Sequence, residues 1–442
     1  MPDEPYPPKT VSTWGIVVGL ISLHYGMGFI LGTGEQTYLH GSIGAVYAIA
    51  AGLGLLGISV LADFYWRTQQ PIWDLLGDKY GQPARHLSNF LSWTWMIGVM
   101  AGQMLGAGYA LSVLGFPAYL AVVCAAVAIA LLGSIPLERV AWFFAILLSL
   151  STLALLFSLT QLGGISIYLS SIQTFFPDLL RTSPMQILGV VVTTFLLTII
   201  GMDFQQVLVT AQDQNAAVKG SLFAGLILLP TAFIPTAVVI GAVQKMIVAP
   251  GVINGKDAIP LILARIGNGV FPFGGLVLVA ALVIVAVGSG TGLNRALIRS
   301  FQSAPFMPSS LKKSAAASWI NAALALGLAF TGLTIVGLMV SFYAIYVSGV
   351  FVPFMAYLVE RRGKLSFTAI AIQVSAWTGS VTASLVLVTG IMVRLNNYPI
   401  LGWIGNATEA WMILMGLVTA GASLGIAQSI SKGQVKKKTL LS

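Results

Sequence analysis

The sequence predicts an all-α polytopic membrane protein with about 12 transmembrane helices. Of its 442 residues, 57% are hydrophobic and 8% are charged, whereas a soluble domain carries about 25% charged residues. So few charges cannot solvate the surface of a 46.6 kDa globule. The composition therefore excludes a soluble enzyme, a disordered chain and a nucleic-acid-binding domain. It makes the lipid bilayer the partner of the apolar surface.

Twelve apolar runs are each long enough for a helix of about 20 residues. They are continuous rather than alternating, which excludes a β-barrel. The first 13 residues are polar and rich in proline, and the first apolar run is too long for the core of a signal peptide, so we expect no cleaved leader. In chain order, the predicted spans are 14–39, 41–63, 88–114, 117–134, 139–161, 186–210, 220–244, 272–296, 315–332, 334–358, 366–393 and 409–430.

The basic residues predict the orientation. Of the 22 lysines and arginines, 17 lie on the side of the membrane that holds the N-terminus, and five lie on the other side. Because Lys and Arg concentrate in cytoplasmic loops, we expect both termini in the cytoplasm and the protein in the bacterial cytoplasmic membrane. The net charge of +9 follows from this placement and does not indicate an anionic partner. The five outside residues are Arg181, Lys245, Lys256, Arg265 and Arg394.

Cysteine and histidine are scarce in this chain. The single cysteine, Cys124, excludes a disulfide framework and a multi-cysteine metal site. The three histidines are too few and too scattered for a convincing metal cluster. We therefore expect no cofactor other than a coupling ion.

Glycines interrupt the first and sixth spans. The first carries Gly26-Met27-Gly28 and then Gly32-Thr33-Gly34, followed directly by Glu35; the sixth carries Gly201 just before Asp203. Glycine lets backbone polar groups leave the helix ladder, which a membrane tolerates only where those groups line a cavity or find a ligand. An ionisable residue at membrane depth is usually functional. Glycine also serves close helix packing, so both interpretations stay open.

The two interrupted spans occupy matching positions in two sets of five, which predicts a 5+5 inverted repeat with broken helices 1 and 6 and two extra C-terminal helices. The predicted divisions are a cytoplasmic N-terminal segment at 1–13, the first five-helix repeat at 14–161, the second at 186–358, two additional helices at 366–430 and a basic cytoplasmic tail at 431–442. Two longer extracellular stretches, 162–185 and 245–271, are each expected to hold a short helix, as a lid or as an ordered linker.

Several motifs, in this order and spacing, resemble the sodium:solute symporter family. The likeness covers roughly residues 14–365. It is carried by Leu31-Gly32-Thr33-Gly34, Gln70-Pro71-Ile72-Trp73-Asp74, Asp78-Lys79-Tyr80-Gly81, Gln103-Met104-Leu105-Gly106-Ala107-Gly108, Asp203-Phe204-Gln205-Gln206, Leu293-Asn294 and Glu360-Arg361-Arg362.

The resemblance implies a leucine-transporter-type fold that works by alternating access. Substrate would bind between helices 1, 3, 6 and 10, and a sodium ion would bind between helices 1 and 8. In the family, the helix-1 sodium ligands are backbone carbonyls at the break, which correspond here to Phe29 and Gly32.

Helix 8 departs from the family pattern. The family supplies two adjacent hydroxyls to sodium, but alignment on Leu293-Asn294 places Val287 and Gly288 at those positions. The hydroxyls of Ser289 and Thr291 reach them only after a shift in register. Proton coupling and uncoupled transport therefore stay open beside sodium coupling.

Six polar side chains near the breaks and on helices 3 and 10 are candidate substrate-binding residues. Glu35 could gate the site or carry a proton. Asp203 could bind a cationic group of the substrate or pair with an arginine of helix 8, and Gln103 could bind substrate or hold helix 3 to helix 1. Each also has a purely structural interpretation. The six are Glu35, Gln36, Gln103, Asp203, Tyr343 and Tyr346.

The predicted function is secondary active transport of a small polar organic solute. Three alternatives are open: a transporter of the related nucleobase–cation symporter family, a proton-coupled transporter of the same fold, and a nutrient sensor that uses a transporter fold as its receptor. An intramembrane enzyme is not supported, because the sequence has no nucleophile or metal motif of such enzymes.

The predicted orientation can be tested by labelling. We expect a cysteine introduced at Ser310 to react with an impermeant thiol reagent only from the cytoplasm, and one at Asn396 only from outside, because Lys and Arg mark the cytoplasmic loops. Replacing Cys124 by alanine provides the background. Labelling from the opposite side at either position would contradict the orientation.

Overall fold

A computed structural model describes residues 9–133, 141–249, 251, 253–303, 308, 311, 313–331, 333–363, 365–396 and 402–441. In these residues, six helices are long and apolar enough to cross a membrane, or up to eight if each of two bent pairs counts as one span. Three shorter apolar helices accompany them. The prediction of an all-α polytopic membrane protein is confirmed.

The first half of the chain follows the predicted order of spans. Two further helices lie outside the predicted spans: α4 lies between spans 2 and 3, and α8 follows span 5. The elements are α1 (Thr13–His24), a π turn (Gly28–Gly32), α2 (Thr33–His40), a 3-10 turn (Gly41–Ala45), α3 (Val46–Thr68), α4 (Ile72–Tyr80), α5 (Gln82–Ser112), α6 (Ala118–Gly133), α7 (Ala141–Leu162) and α8 (Ile165–Arg181).

The second half begins with the broken span 6 and ends with three helices that follow span 10. Its elements are α9 (Pro184–Ile200), α10 (Met202–Leu208), α11 (Gln214–Thr231), α12 (Phe233–Gln244), a 3-10 turn (Gly255–Asp257), α13 (Ala258–Val270), α14 (Gly274–Ser303), α15 (Ser314–Ala329), α16 (Ile335–Arg361), α17 (Ala369–Asn396), α18 (Gly402–Asn406) and α19 (Thr408–Leu441). Both stretches expected to hold short helices do so, as α8 and α13.

Spans 1 and 6 are broken at the predicted glycines. In span 1, α1 ends at His24, and helical structure resumes in the π turn that begins at Gly28. In span 6, α9 ends at Ile200, Gly201 is extended (φ −66°, ψ 128°), and α10 leaves at an angle of 42° to α9. Both predicted broken helices are therefore confirmed.

The spans form two packed groups. The first group joins spans 1, 2, 6 and 7, through contacts of α1 and α3 with α11 and of α3 with α9. The second group, which we call the scaffold, joins spans 3, 4, 8 and 9, where α5 packs on α14 and α6 packs on α15. Each group takes two spans from each predicted repeat, which is the arrangement that an inverted repeat produces.

A chain of buried polar side chains holds the scaffold together. Trp93 Nε1 donates to Asn321 Oδ1 at 2.9 Å, and Asn321 Nδ2 donates to Asn294 Oδ1 at 3.3 Å. Asn294 Nδ2 donates to Ser318 Oγ at 2.9 Å, and that hydroxyl donates to the carbonyl of Ala130 at 2.6 Å. All four scaffold helices contribute to this chain, so the scaffold is fixed by hydrogen bonds as well as by apolar packing.

On the opposite side from α13, the α4 helix docks against the end of span 10. Lys79 Nζ lies 3.0 Å from Glu360 Oε1, and Tyr80 Oη donates to Glu360 Oε2 at 2.8 Å. The structure thus brings together two of the motifs on which the family resemblance rests. We call the face with α4 the inner face, and the opposite face, which carries α13, the outer face.

Near the C-terminus, the structure differs from the sequence prediction in one respect. The predicted tail at 431–442 continues α19 as far as Leu441, since no proline interrupts the helix after Thr408. Of the two labelling positions, Asn396 is exposed, and Ser310 lies outside the described residues.

Candidate functional site

The two broken spans meet inside the bundle, where α1 contacts α10. The His24 ring stacks on the Phe204 ring with centroids 4.5 Å apart, and His24 Nε2 lies 3.4 Å from Thr198 Oγ1. These contacts fix the end of α1 against both halves of span 6. His24 is therefore a packed residue at the junction of the two breaks.

The inner ends of the same two spans are joined by main-chain hydrogen bonds. The Val11 N–H donates to the Thr210 carbonyl at 3.0 Å, and the Val11 carbonyl accepts from the Gln212 N–H at 2.9 Å. Trp66 Nε1, on α3, donates to the Ala211 carbonyl at 2.9 Å. Spans 1, 2 and 6 are thus linked at the inner face as well as at the breaks.

Gln103 of α5 binds the backbone at the first break. Its Oε1 accepts from the Met27 N–H at 2.9 Å. This close approach requires glycine at position 26, because a Cβ there would lie 2.6 Å from Gln103 Nε2 and 2.9 Å from Ser289 Oγ. Gln103 thus holds helix 3 to helix 1, which is one of the two roles considered for it.

Tyrosines bind the backbone at the second break. Tyr65 Oη donates to the Ile199 carbonyl at 2.8 Å, and Tyr346 Oη donates to the Ile200 carbonyl at 2.9 Å. Gln205 Nε2 also donates to the Ile200 carbonyl, at 3.2 Å. These carbonyls lie where the helix ladder is interrupted, and without donors they would be costly inside a membrane.

Asp203 lies in the first turn of α10 and is 7% exposed. Its Oδ1 has no hydrogen-bond partner among the described residues. Its charge acts on the hydroxyls of Tyr47, Tyr343 and Tyr346. The pairing with helix 8 that was considered is not seen: no ion pair found in the described residues includes Asp203, and Arg295 Nη2 donates to the Leu132 carbonyl.

Tyrosines of α3 and α16 lie near enough to this carboxylate for its charge to act on them, and Trp95 of α5 packs against two of these tyrosines. Tyr47 Oη and Tyr343 Oη are 3.3 Å apart, which joins α3 to α16. The Trp95 ring lies 5.7 Å from the Tyr343 ring and 5.9 Å from the Tyr346 ring, centroid to centroid, and Trp95 Nε1 is buried without a partner in the described structure. We call Tyr47, Trp95, Asp203, Tyr343 and Tyr346 the central cluster.

A cavity of about 230 Å³ lies on the outer side of the central cluster. Tyr47 lines it, and so do Gln36 of α2, Gln186 of α9 and Glu409 of α19. Gln36, predicted to bind substrate, therefore faces this outer cavity. Because the Tyr47 hydroxyl also contacts Tyr343, Tyr47 connects the wall of the cavity to the central cluster.

Glu35 is buried at the outer ends of spans 1 and 10, away from the breaks. Its Oε2 accepts from the Ile335 N–H, the first residue of α16, at 2.9 Å. A carboxylate is stabilised at a helix N-terminus, where backbone N–H groups are free. The structure thus places Glu35 in a latch between α2 and α16.

The 3-10 turn before α13 completes this latch. Lys256 interacts electrostatically with Glu35 and Asp257, and its Nζ lies 5.2 Å from the centroid of the Tyr109 ring on α5. Burial lowers the pKa of Lys256, while the two carboxylates oppose that lowering. Burial raises the pKa of Asp257, opposed by Ser112 and Lys256. These contacts join spans 1, 3 and 10 on the outer face.

The residues considered for sodium are not gathered at one point. Gly32 packs against Val336 of α16, whereas Ser289 Oγ lies beside Gly26, before the π turn. The Thr291 hydroxyl donates to the carbonyl of Val287 in its own helix at 2.6 Å. Phe29 is fully buried, and its ring lies 4.8 Å from the ring of Tyr25.

Sequence reasoning missed Tyr47 and Tyr65. Both lie in the apolar span 2, where a hydroxyl needs a partner when it is buried. A tyrosine in an apolar span therefore indicates a hydrogen bond inside the bundle, but the sequence does not indicate which group accepts or donates that bond. The partners, Tyr343 and the Ile199 carbonyl, are 296 and 134 residues away in the chain.

Several solved structures share this architecture over almost the whole chain. A Na⁺-coupled sialic acid symporter in a substrate-bound, outward-open state is 14% identical, with a TM-score of 0.63 over 94% of this chain and 90% of that chain. A manganese transporter of Eremococcus coleocola is 14% identical, with a TM-score of 0.55 over 94% and 98%. A nucleobase-cation-symport-1 family transporter, closed with bromovinylhydantoin bound, is 12% identical, with a TM-score of 0.53 over 98% and 96%.

The chain has the leucine-transporter-type fold of these proteins. No protein-family model matches the sequence, and no curated protein sequence matches it significantly. The likeness is therefore one of fold.

The bond between Gln103 and Met27 can be tested by a double-mutant cycle. Gly26→Ala would push the Gln103 amide away, and Gln103→Ala would leave the Met27 N–H without its acceptor; each should cost roughly 1–3 kcal/mol and lower the melting temperature. In the Gln103→Ala background, Gly26→Ala should cost less, because part of the clash is gone.

Gly292→Ala is the matched control for this cycle. It lies in a helix with open space around its Cα and should leave the melting temperature unchanged or raise it. Strictly additive effects of Gly26→Ala and Gln103→Ala would show that the two positions do not interact.

Proposed function

We propose that this protein is a secondary active transporter that moves a small polar organic solute by alternating access, with the solute bound at the central cluster. The observation that carries the proposal is Asp203, a buried carboxylate with an unpartnered oxygen at the junction of two broken membrane helices. An ionisable group in such a place is costly, and it is typically kept for binding a solute or an ion.

The latches on the two faces support alternating access. On the outer face, Glu35 joins α2 to α16. On the inner face, the main-chain hydrogen bonds of Val11 join spans 1 and 6, and no scaffold helix takes part in these bonds. Movement of spans 1, 2, 6 and 7 against span 10 would break the Glu35 contact and keep the bonds of Val11. The group that moves is thus held together on the inner face and latched on the outer one.

We further propose membership in the sodium:solute symporter family. The order of the sequence motifs supports it, as does the contact of Lys79 and Tyr80 with Glu360, which joins two of those motifs in space. The comparison with a Na⁺-coupled sialic acid symporter supports the fold that this membership requires. A nutrient sensor with this fold would bind its solute at the same cluster and would not move it.

Transport can be tested in proteoliposomes. A thermal-shift screen of sugars, amino acids, vitamins, carboxylates and amines identifies a bound solute, and its uptake is then measured with a radiolabel. Asp203→Asn should abolish concentrative uptake, whereas Asp63→Asn, which removes a carboxylate of a surface ion pair with Arg67, should leave it intact. Binding without uptake would identify a sensor, and unchanged uptake by Asp203→Asn would exclude the central cluster as the site.

Sodium should have little effect on this uptake. The hydroxyl that lies near the first break, Ser289, is beside Gly26, and Thr291 is bonded to its own helix, so a complete sodium ligand set is not formed by the residues considered. We expect similar uptake when external Na⁺ is replaced by K⁺. Strong Na⁺ dependence that is lost in Ser289→Ala or Thr291→Ala would instead indicate a functional sodium site on α14.

A further inference from the structure

Asp203 needs a positive charge that the described part of the chain does not provide. The side chains that reach its surroundings are neutral tyrosines: Tyr47 from α3, and Tyr343 and Tyr346 from α16. From α1, His24 places its Nε2 at Thr198 and its ring on Phe204. The carboxylate accepts backbone hydrogen bonds from its own N–H and from that of Phe204, but its Oδ1 has no partner and no positive side chain among the described residues pairs with it. An unpaired charge in this apolar interior is disfavoured, so its charge is balanced by a proton or by a bound cation.

The groups around Asp203 suit an organic cation better than a metal ion. A hard metal cation takes about six oxygen ligands, and the described residues contain no group of three or more His, Cys, Asp or Glu side chains able to hold one. Aromatic faces beside a carboxylate are the usual surroundings of a substituted ammonium group. The Trp95 ring, which lies within 6 Å of the rings of Tyr343 and Tyr346, and those two rings can provide such faces.

Two further unpartnered atoms lie in the same region. Trp95 Nε1 is a free donor, and Gln205 Oε1, on the helix of Asp203, is a free acceptor. The Trp95 ring packs beside Tyr346. The Gln205 side chain binds the Ile200 carbonyl, which also accepts from the Tyr346 hydroxyl. The two unpartnered atoms provide hydrogen bonds for a polar group on the same solute, so the site fits a small molecule with one ammonium group and a neutral polar end.

We propose that Asp203 binds the ammonium group of the transported solute and binds a proton when the solute is absent, so that the protein exchanges an organic cation for a proton. The inference rests on the proposed function and names its substrate class. One carboxylate neutralises one positive charge, so solute and proton exclude each other. This exclusion makes the protein an exchanger. The site would carry the cation in one direction and a proton in the other, so that Asp203 is neutralised each time the site changes the side to which it is open.

Matched probes separate charge from shape. Tetramethylammonium, choline and methylammonium are compared with 3,3-dimethylbutan-1-ol, the uncharged isostere of choline, by thermal shift of the purified full chain. At least one cation should stabilise the protein more than the isostere does. Asp203→Asn should weaken its binding by about 30-fold or more, while Asp203→Glu, which keeps the charge, should retain part of it.

The direction of the pH effect separates exchange from proton symport. Protonation of Asp203 removes the charge that binds the cation, so the dissociation constant should rise by up to about tenfold for each unit that the pH falls below the pKa of the site. In proteoliposomes, an acidic lumen should drive uptake of the cation, and a pH-sensitive dye should report proton exit. The pH effect should persist in His24→Gln and disappear in Asp203→Asn.

Each contrary result has a distinct meaning. The inference is overturned if no cation probe stabilises the protein more than the neutral isostere, if stabilisation survives in Asp203→Asn, or if external acid accelerates uptake. Uptake of an uncharged or anionic solute would leave the transport function standing without the cation site. Binding of a cation through Asp203 without any flux would leave the site standing and remove the transport function. Melting of ligand-free Asp203→Asn at the wild-type temperature controls for misfolding.

Discussion

The structure depends on how backbone groups are satisfied where two membrane helices are interrupted. A lipid-facing or apolar interior offers no water to an amide or a carbonyl that has left its helix. The Met27 N–H finds Gln103, and the Ile199 and Ile200 carbonyls find Tyr65 and Tyr346. The partners come from spans 3, 2 and 10, so satisfying the breaks fixes the packing of three other helices around them.

Two buried carboxylates show how position decides the role of an acidic residue. Glu35 is 2% exposed, but its oxygen accepts from the start of α16, and Lys256 provides an opposite charge. Asp203 is nearly as buried, and its Oδ1 has no hydrogen-bond partner in the described structure. Glu35 thus has partners for its charge within the protein, whereas Asp203 keeps one oxygen without a partner in the described structure, and this difference is why we propose Asp203 as the solute-binding group.

Polar contacts differ between the two groups of spans in a way that suits relative motion. Within the scaffold, Asn294, Ser318 and Asn321 form a continuous buried chain that joins all four helices. The bond between Gln103 of α5 and the Met27 N–H joins the two groups at the first break, and Glu35 joins the first group to span 10. In the alternating-access motion that we propose, the hydrogen bonds within the scaffold would stay in place, and bonds such as that of Gln103 with Met27 would be exchanged.

The sequence by itself determined the membrane class, the order of the spans and the two breaks. These features follow from local properties: apolar runs of sufficient length, the glycines Gly26 and Gly28 within span 1, and Gly201 two residues before Asp203 in span 6. It also identified Asp203 and Gln103 as polar groups that need partners within the membrane. It did not assign the partners, because a need for a hydrogen bond is local and the identity of the donor is not.

Only the tertiary structure decided which residues meet. It separated Glu35 and Gln36 from Asp203, although all three follow or flank a break, because α2 carries its residues to the outer face. It placed Ser289 beside Gly26 and Gly32 beside α16, which the register of motifs did not indicate. It also brought Tyr47, 296 residues from Tyr343 in the chain, to the same cluster. Such contacts depend on the packing of whole helices, and no local sequence pattern encodes them.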